Sequence, residues 1–407
     1  MLDHDAPARL LGRPEVKQLM AVLSCEGEET RIVGGAVRNS LLGLPVNDID
    51  MATTALPQET MRRARAAHLR AIPTGIDHGT ITVMAAGRPV EVTTLRRDLE
   101  TNGRHAVVAF GRDFREDALR RDFTVNALML DAGGQLHDEA GGLSDLAEGR
   151  IRFIGEAQAR ITEDALRILR FYRFHAAYGH AAPDPVGRAA CIAGRAGLSR
   201  LSPERLRAEM LKLLMAKGAA PALTAMVDDG LLQAVLGGVA QVARFEQVVR
   251  DDDAGSRDPV QRLALVAVSV CEDALRLREG LRLSNAELAM LHGFGAALEA
   301  LHGHARPRLA QLRRLADRHG LPEVLLALSV VARGKRQGEA DVLGNQLRAT
   351  PELLLSGRDL MARNVAPGER LGALLVTLRD QWIEAGCPAS IEDQTALLEA
   401  VLAARLS

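Results

Sequence analysis

Two aspartates separated by one isoleucine, Asp48-Ile49-Asp50, follow a double glycine, Gly34-Gly35, and an arginine, Arg38, within the single stretch RIVGGAVRNSLLGLPVNDIDMATT. In an extended chain successive side chains point to opposite faces, so Asp48 and Asp50 share one face and Ile49 turns away. Two carboxylates that close raise each other's proton affinity unless a cation lies between them. Oxygen donors of this kind suit Mg²⁺, which keeps coordination positions for water and substrate phosphates. The double glycine opens a helix whose first amides and dipole favour an anion, and a backbone without Cβ atoms lets a phosphate come close. Arg38 on the first turn could clamp the same group. The same residues also fit a tight strand-to-helix turn beside a solvated acidic loop, and neither GxxxxGK[ST] nor GxGxxG is present.

Other charged residues belong to the same question. EVTTLR places Glu91 and Thr93 on one face of a strand and Val90 and Val92 on the other, so Glu91 is either a third acid or an edge-strand surface group. In LRRDFTVNALML, Arg120, Arg121 and Asp122 interrupt an apolar run, which is costly unless they pair with each other or meet a ligand. In EDALRILRFYRF, Arg167, Arg170 and Arg173 cover roughly 120° of a helix that is otherwise apolar nearly all round, with Asp164 one turn earlier. Buried there, three arginines call for anionic partners, either protein carboxylates or a triphosphate. Asp164 with Arg167 also makes a base-reading pair: the carboxylate accepts from an exocyclic amine and the guanidinium donates to the ring atoms beside it. Such a pair accepts C and A and rejects U and G.

The elements that must hold these residues divide the chain. Up to about residue 135 strand and helix patterns alternate: RIVGG a strand, AVRNSLLG a helix ended by Gly43, NDIDMATT a strand, PQETMRRARAAHLR a helix opened by Pro57, and GTITVMAAGRPVEVTTLR a hairpin turning at Gly87 and Arg88. From about residue 155 the spacing is helical, in EDALRILRFYRFHAAYG, SPERLRAEMLKLLMA, LTAMVDDGLLQAVLGG, RLALVAVSVCEDALRL and AELAMLHGFGAALEALHG, with GHAAPDPVGRAACIAG as a joint. At 407 residues and 47% hydrophobic, the chain can bury more than one core.

GGAVRN with DID, RRDFTVNAL, EDALRILRFYRF and SPERLRAEMLKLL stand in the order and spacing of the class II tRNA nucleotidyltransferases and bacterial poly(A) polymerases, in the polymerase β superfamily, and the chain resembles that family over residues 31 to about 215. A weaker likeness returns in SGRDLM, near the end. The resemblance implies an α+β architecture: a polymerase β-like nucleotidyltransferase head with a mixed sheet (1–140), a neck with the base-reading helix (141–215), and a helical body and tail that bind RNA (216–407). It implies that Gly34, Gly35 and Arg38 hold the triphosphate, that Asp48 and Asp50 ligate catalytic Mg²⁺, and that Glu91 lies nearest the attacking 3′-hydroxyl. Arg120, Arg121 and Asp122 would contact sugar and phosphates, Asp164 and Arg167 the base, and Arg170 and Arg173 the phosphate side. The substrates would be CTP, ATP and the tRNA acceptor end; the alternatives are poly(A) addition, a specialised A-adding or C-adding enzyme of the same family, and, from another class, a non-catalytic tRNA-binding protein, whose expected mark, loss of Asp48 or Asp50, is missing. Asn39 stands where the family usually has aspartate, which reads as a lost salt bridge rather than lost activity. His137-Asp138 reads as a structural loop and not as part of a phosphohydrolase centre.

The remaining features set limits. The formal net charge of −1 supplies no long-range pull on RNA, so any binding surface must come from segregated arginines, with RPRLAQLRRLADRHG (306–320) and RGKRQG (333–338) as candidates. Residues 351–407 hold five arginines, no lysine and eight acids, which argues against a basic RNA-gripping tail and so against poly(A) addition. Cys25, Cys191, Cys271 and Cys387 are too far apart in sequence for a zinc motif and suit reduced thiols. With no secretion signal or spanning segment, a cytoplasmic enzyme without an obligate protein partner is expected.

Overall fold

The computed structural model describes residues 2–101, 106–250, 257–303, 307–331 and 337–404. The chain falls into two compact units, Met1–Val235 and Leu236–Ser407. In the first, helices α1 (Ala6–Leu11) and α2 (Pro14–Leu23) precede a sheet built from β1 (Thr30–Val33), β2 (Asp50–Thr53), β3 (Arg70–Gly75), β4 (Thr80–Ala85) and β5 (Arg88–Thr94). β6 (Arg96–Thr101) and β7 (Ala106–Phe110) form a separate ribbon, and β8 (Met129–Leu130) and β9 (Leu136–His137) complete the main sheet in the order β3-β4-β5-β2-β1-β8-β9. Only β2 and β5 run parallel in it; the other neighbours are antiparallel. α3 (Gly35–Leu41) and α4 (Pro57–Ala66) connect the early strands, and α5 (Phe114–Leu119) and α6 (Gly142–Glu148) follow the ribbon and β9.

Register is what matters for the site. Val33, the last residue of β1, lies opposite Asp50 and Met129, and Asp50 lies opposite Glu91. One row across the sheet therefore carries Glu91, Asp50 and the strand end that runs into Gly34. The alternation in β4 and β5 sends Ile81, Val83, Ala85, Val90 and Val92 into the core and leaves Glu91 exposed, as the period-two pattern requires.

Five helices follow in the first unit, α7 (Ala157–Glu163), α8 (Leu166–Tyr178), α9 (Pro185–Gly194), α10 (Pro203–Leu214) and α11 (Ala219–Asp228). Leu166, Ile168, Leu169, Phe171, Tyr172 and Phe174 of α8 are all buried. An aromatic cluster docks α8 on the head: Phe123 lies 4.8 Å from Phe153 and 5.3 Å from Phe174, and Phe153 stacks on Phe171 at 5.5 Å. The second unit is helical among its described residues. In it SGRDLM forms a helix start, where the Asp359 carboxylate accepts from Ser356 N at 2.7 Å. Among the described residues no helix is long and apolar enough to cross a membrane.

Several local expectations shift. The β4–β5 turn is at Ala86 and Gly87, both with positive φ, and Arg88 already pairs with Ala85. α4 stops at Ala66, so Arg70 opens a strand instead of closing a helix. EDALRILRFYRF is not one helix: Asp164 is extended (φ −152°, ψ 104°) and its Oδ1 accepts from Leu166 N, a side-chain bond that competes with helix continuation. RLALVAVSVCEDALRL breaks likewise, because Asp273 Oδ2 accepts from the backbone N–H groups of Ser269 and Val270. The supposed joint contains α9, started by Asp184, whose side chain accepts from Gly187 N, with Pro185 at the first turn.

Candidate functional site

Gly34 has φ 65° and ψ −119°, a conformation reserved for glycine, and a Cβ there would sit 2.9 Å from Arg121 Nη1. At Gly35 a Cβ would meet nothing nearer than Arg38 Nη2 at 3.7 Å, so the protein itself leaves that approach open. α3 has only seven residues, and attraction for an anion must come mainly from side chains around it.

Those side chains line one cavity of ≈ 470 Å³: Gly34, Gly35, Arg38, Arg120, Arg121, Asp122, Asn126, Asp164, Arg167, Arg170, Arg173 and Phe174. All the residues singled out above as nucleotide contacts meet here, from the start of α3, the segment after α5, the extended Asp164 before α8, and α8 itself. Six arginines face two aspartates across it.

How the arginines are held is specific. Arg120 and Arg121 both pair with Asp117, Arg121 Nη2 at 3.0 Å from its Oδ2; Asp117 is 2% exposed. Burial opposes ionisation of Asp117, but the two guanidinium groups hold its carboxyl below the usual range. Arg170 donates through Nε to Asp122 Oδ2 at 2.7 Å, while Asp122 Oδ1 accepts from Asn126 Nδ2 and Phe123 N, each at 2.9 Å. Against the same burial penalty, these partners keep the Asp122 carboxyl low. Asp122 is thus a structural bridge that also lines the cavity. Arg173 donates to Glu209 Oε2 at 2.6 Å, with Arg170 Nη1 at 3.6 Å from Glu209 Oε1. Arg167 donates through Nη1 to Glu163 Oε2 (2.6 Å) and Arg160 O (2.7 Å). Asp164 does not pair with Arg167: its Oδ2 accepts from Arg205 Nη2 at 2.7 Å.

Arg38 is held differently. It is 6% exposed and donates to Asn126 Oδ1, to Asn39 Oδ1 (Nη2 at 2.8 Å, Nε at 3.1 Å) and to Tyr178 OH (2.7 Å). Its guanidinium carbon lies 4.1 Å over the Tyr178 ring. Burial lowers its proton affinity, with Tyr178 working in the other direction.

The three acids lie beyond the cavity wall. Asp48 precedes β2 and does not belong to it, yet Asp48 and Asp50 are both exposed and Ile49 between them is buried, so the shared face stands. None of Asp48, Asp50 and Glu91 has a side-chain hydrogen bond or ion pair with a described residue. Loss of hydration, then the Glu91 charge, pushes the Asp50 carboxyl above its ordinary range; Asp48 adds to this and Arg121 opposes it. Arg121 is therefore the electrostatic link between cavity and acids.

Asp117, Asn126, Tyr178 and Glu209 escape a reading of the sequence. Asp117 stands three and four residues before Arg120 and Arg121, the spacing of a helical ion pair, which is the signal that could have found it. Glu209 lies within the SPERLRAEMLKLL motif without any local sign of its partner. Removing Asp117 leaves two half-buried arginines without counter-charge. Asp117→Ala is expected to cost about 1–3 kcal/mol, read as a lower urea midpoint, with weaker binding of inorganic triphosphate in the cavity; Asp117→Asn should recover part of both.

His137 pairs with Asp131 (Nε2 to Oδ2, 2.8 Å), whereas Asp138 accepts from Gly142 N and Leu143 N and starts α6, so the two do not form a joint centre. Of the basic stretches, 306–320 contains the helix Leu309–His319, whose Arg314 is paired with Glu384. Residues 333–336 of RGKRQG lie outside the described residues, and its last two open the helix Gln337–Arg348.

Comparison with known proteins agrees with this geometry. A family model described as the poly(A) polymerase head domain matches residues 30–152, and one described as the probable RNA and SrmB-binding site of polymerase A matches residues 184–242. The chain is 34% identical to human mitochondrial CCA tRNA nucleotidyltransferase 1 over 382 residues, 91% of this chain and 86% of that protein. It is 30% identical to the CCA-adding enzyme of Leuconostoc citreum, over 91% and 92% of the two chains. The solved CCA-adding enzyme of Bacillus stearothermophilus, in complex with CTP, superposes with a TM-score of 0.74 at 29% identity, over 97% of this chain and 98% of that one. With such identity sustained along nearly the whole of both chains, the protein belongs to the family of CCA-adding tRNA nucleotidyltransferases.

Proposed function

We propose that the protein adds CMP and AMP, taken from CTP and ATP, to the 3′ end of tRNA without a template, releasing pyrophosphate. The observation that carries this is the arginine-lined cavity set beside three acids that lack side-chain partners among the described residues. The relatives named above and the CTP complex of one of them support the same reading. The head is assigned to residues 1–140, the neck to 141–215 and the RNA-binding body and tail to 216–407.

In this reading the triphosphate lies along Gly34, Gly35 and Arg38, with Arg120, Arg121, Arg170 and Arg173 around the phosphates. Arginine suits the task because its planar fork matches phosphate oxygens and cannot lose its charge. Asp164 and Arg167 face the base. Asp164 keeps lone pairs beyond those used by Leu166 N and Arg205, and Nε and Nη2 of Arg167 have no partner among the described residues. The 3′-hydroxyl of the RNA attacks the α-phosphate in line, and Glu91, in register with Asp50, would accept its proton. The acids fit a divalent cation, since they share one face, lack cationic partners among the described residues and, at Asp50, resist ionisation. Asp48 and Asp50 would hold magnesium, which when bound supplies positive charge against the charge developing at the phosphate and the leaving group. Positioning is most of what such a transfer needs, and the ion-paired arginines provide it. The four free cysteines support a reducing compartment, the cytoplasm.

Poly(A) addition is tested by offering ATP alone to two acceptors, a tRNA transcript ending before CCA and an unrelated single-stranded RNA of equal length. The expected result is little extension of either; a run of adenylates on the unrelated RNA would give the function to the rival.

A further inference from the structure

Every cavity arginine except Arg38 has a carboxylate partner: Asp117 for Arg120 and Arg121, Glu163 for Arg167, Asp122 and Glu209 for Arg170, Glu209 for Arg173. Among the described residues no carboxylate comes within ion-pair distance of Arg38. Its N–H groups go instead to three neutral oxygens, Asn39 Oδ1, Asn126 Oδ1 and Tyr178 OH, with the Tyr178 and Phe174 rings 4.1 and 5.2 Å from its guanidinium carbon. The nearby acid Asp122 is already taken by Arg170.

We propose that Asn39 and Tyr178 are positioning residues that hold Arg38 in a neutral cage, aiming its charge while leaving it uncompensated so that the nucleotide's phosphates supply the counter-charge. The inference rests on the assignment of Arg38 to the triphosphate. Two details support the cage. Asn39 is suited to its place as an amide, because its Nδ2 donates to Pro45 O at 3.2 Å while its Oδ1 receives Arg38 and, at 3.3 Å, the Tyr178 hydroxyl. An aspartate could not make the bond to Pro45 and would neutralise Arg38 from within the protein. Tyr178 ends α8, whose first turn carries Arg167, so one helix holds both the phosphate-side arginine and part of the proposed base reader. The uncompensated charge strengthens binding of phosphate whatever the base attached to it.

The test uses the full-length protein with Tyr178→Phe, which keeps the ring, and Asn39→Asp, which restores a carboxylate. Both should raise KM for CTP and for ATP by the same factor, roughly tenfold. The inhibition constant of inorganic triphosphate should rise in parallel, while kcat and tRNA affinity stay within about twofold. A purely structural role would instead lower Tm and kcat without a selective effect on inorganic triphosphate. Unchanged KM and inhibition constants in both variants, or changes confined to kcat, overturn the proposal. Arg38→Ala separates the two layers: if it weakens inorganic triphosphate while the other variants do not, the cage alone is wrong. If Arg38→Ala has no effect on that probe, the phosphate assignment falls and the cage with it.

Discussion

Asp50→Asn should lower nucleotide incorporation by about 10³-fold, roughly 4 kcal/mol of transition-state stabilisation, while tRNA binding remains nearly intact. The substitution keeps the shape of the side chain and removes one of the charges that would hold the metal. A second consequence separates this account from simple damage. The Asp50 carboxyl is raised above its ordinary range in the folded protein, by lost hydration first and then by Glu91, so its ionised form opposes folding. Asparagine relieves that, and the metal-free variant should melt at a slightly higher temperature than the parent at neutral pH. As the pH falls through the raised pKa the difference in melting temperature should begin to shrink, and it should be gone once the pH is below the ordinary range of an unfolded aspartate as well. Loss of activity accompanied by a gain in stability is the pattern of a strained functional site. Near-normal turnover in the variant would remove Asp50 from the chemistry.

Asp164→Ala should relax the selection of C and A over U and G, by about 1–3 kcal/mol of discrimination, or roughly 5- to 150-fold. The residue has structural duties too, since it caps the start of α8 and pairs with Arg205. Arg205→Ala is the control: it removes the ion pair and leaves the carboxylate, so selection should persist. Single-nucleotide incorporation with each of the four triphosphates reads both variants. Equal relaxation in both would make the selection a matter of helix placement instead of base contact.

The residues that could do chemistry were legible because their types are rare in their settings. Taken singly, the alternate aspartates also fit a solvated loop and the double glycine a tight turn; it was the set of them in order, with arginines on a helix apolar nearly all round, that pointed to a site. What was hidden was the set of partners that hold them. Glu209 is a motif glutamate whose use depends on α10 packing against α8, and Tyr178 reaches Arg38 across 140 positions of chain. Such pairs are tertiary facts and leave no local period. The break at Asp164 was hidden for another reason: EDAL has no glycine or proline, and the interruption comes from a side-chain bond to Leu166 N and a distant arginine. α9 shows the opposite error, because its many Ala and Gly residues resembled a joint although Asp184-Pro185 is an ordinary helix start. The sheet was read most accurately where one face is buried, in β4 and β5, and least where the strands are two residues long, in β8 and β9.

The acids, the arginine cavity and the base reader together make one central claim, that this site builds CCA on tRNA. It is tested most directly with a tRNA transcript ending before CCA, incubated with α-labelled CTP alone and then with ATP. The account predicts addition of two cytidylates that stops in CTP alone, followed by a single adenylate once ATP is supplied. Incorporation that starts with adenylate, continues into runs, or fails with CTP would contradict it.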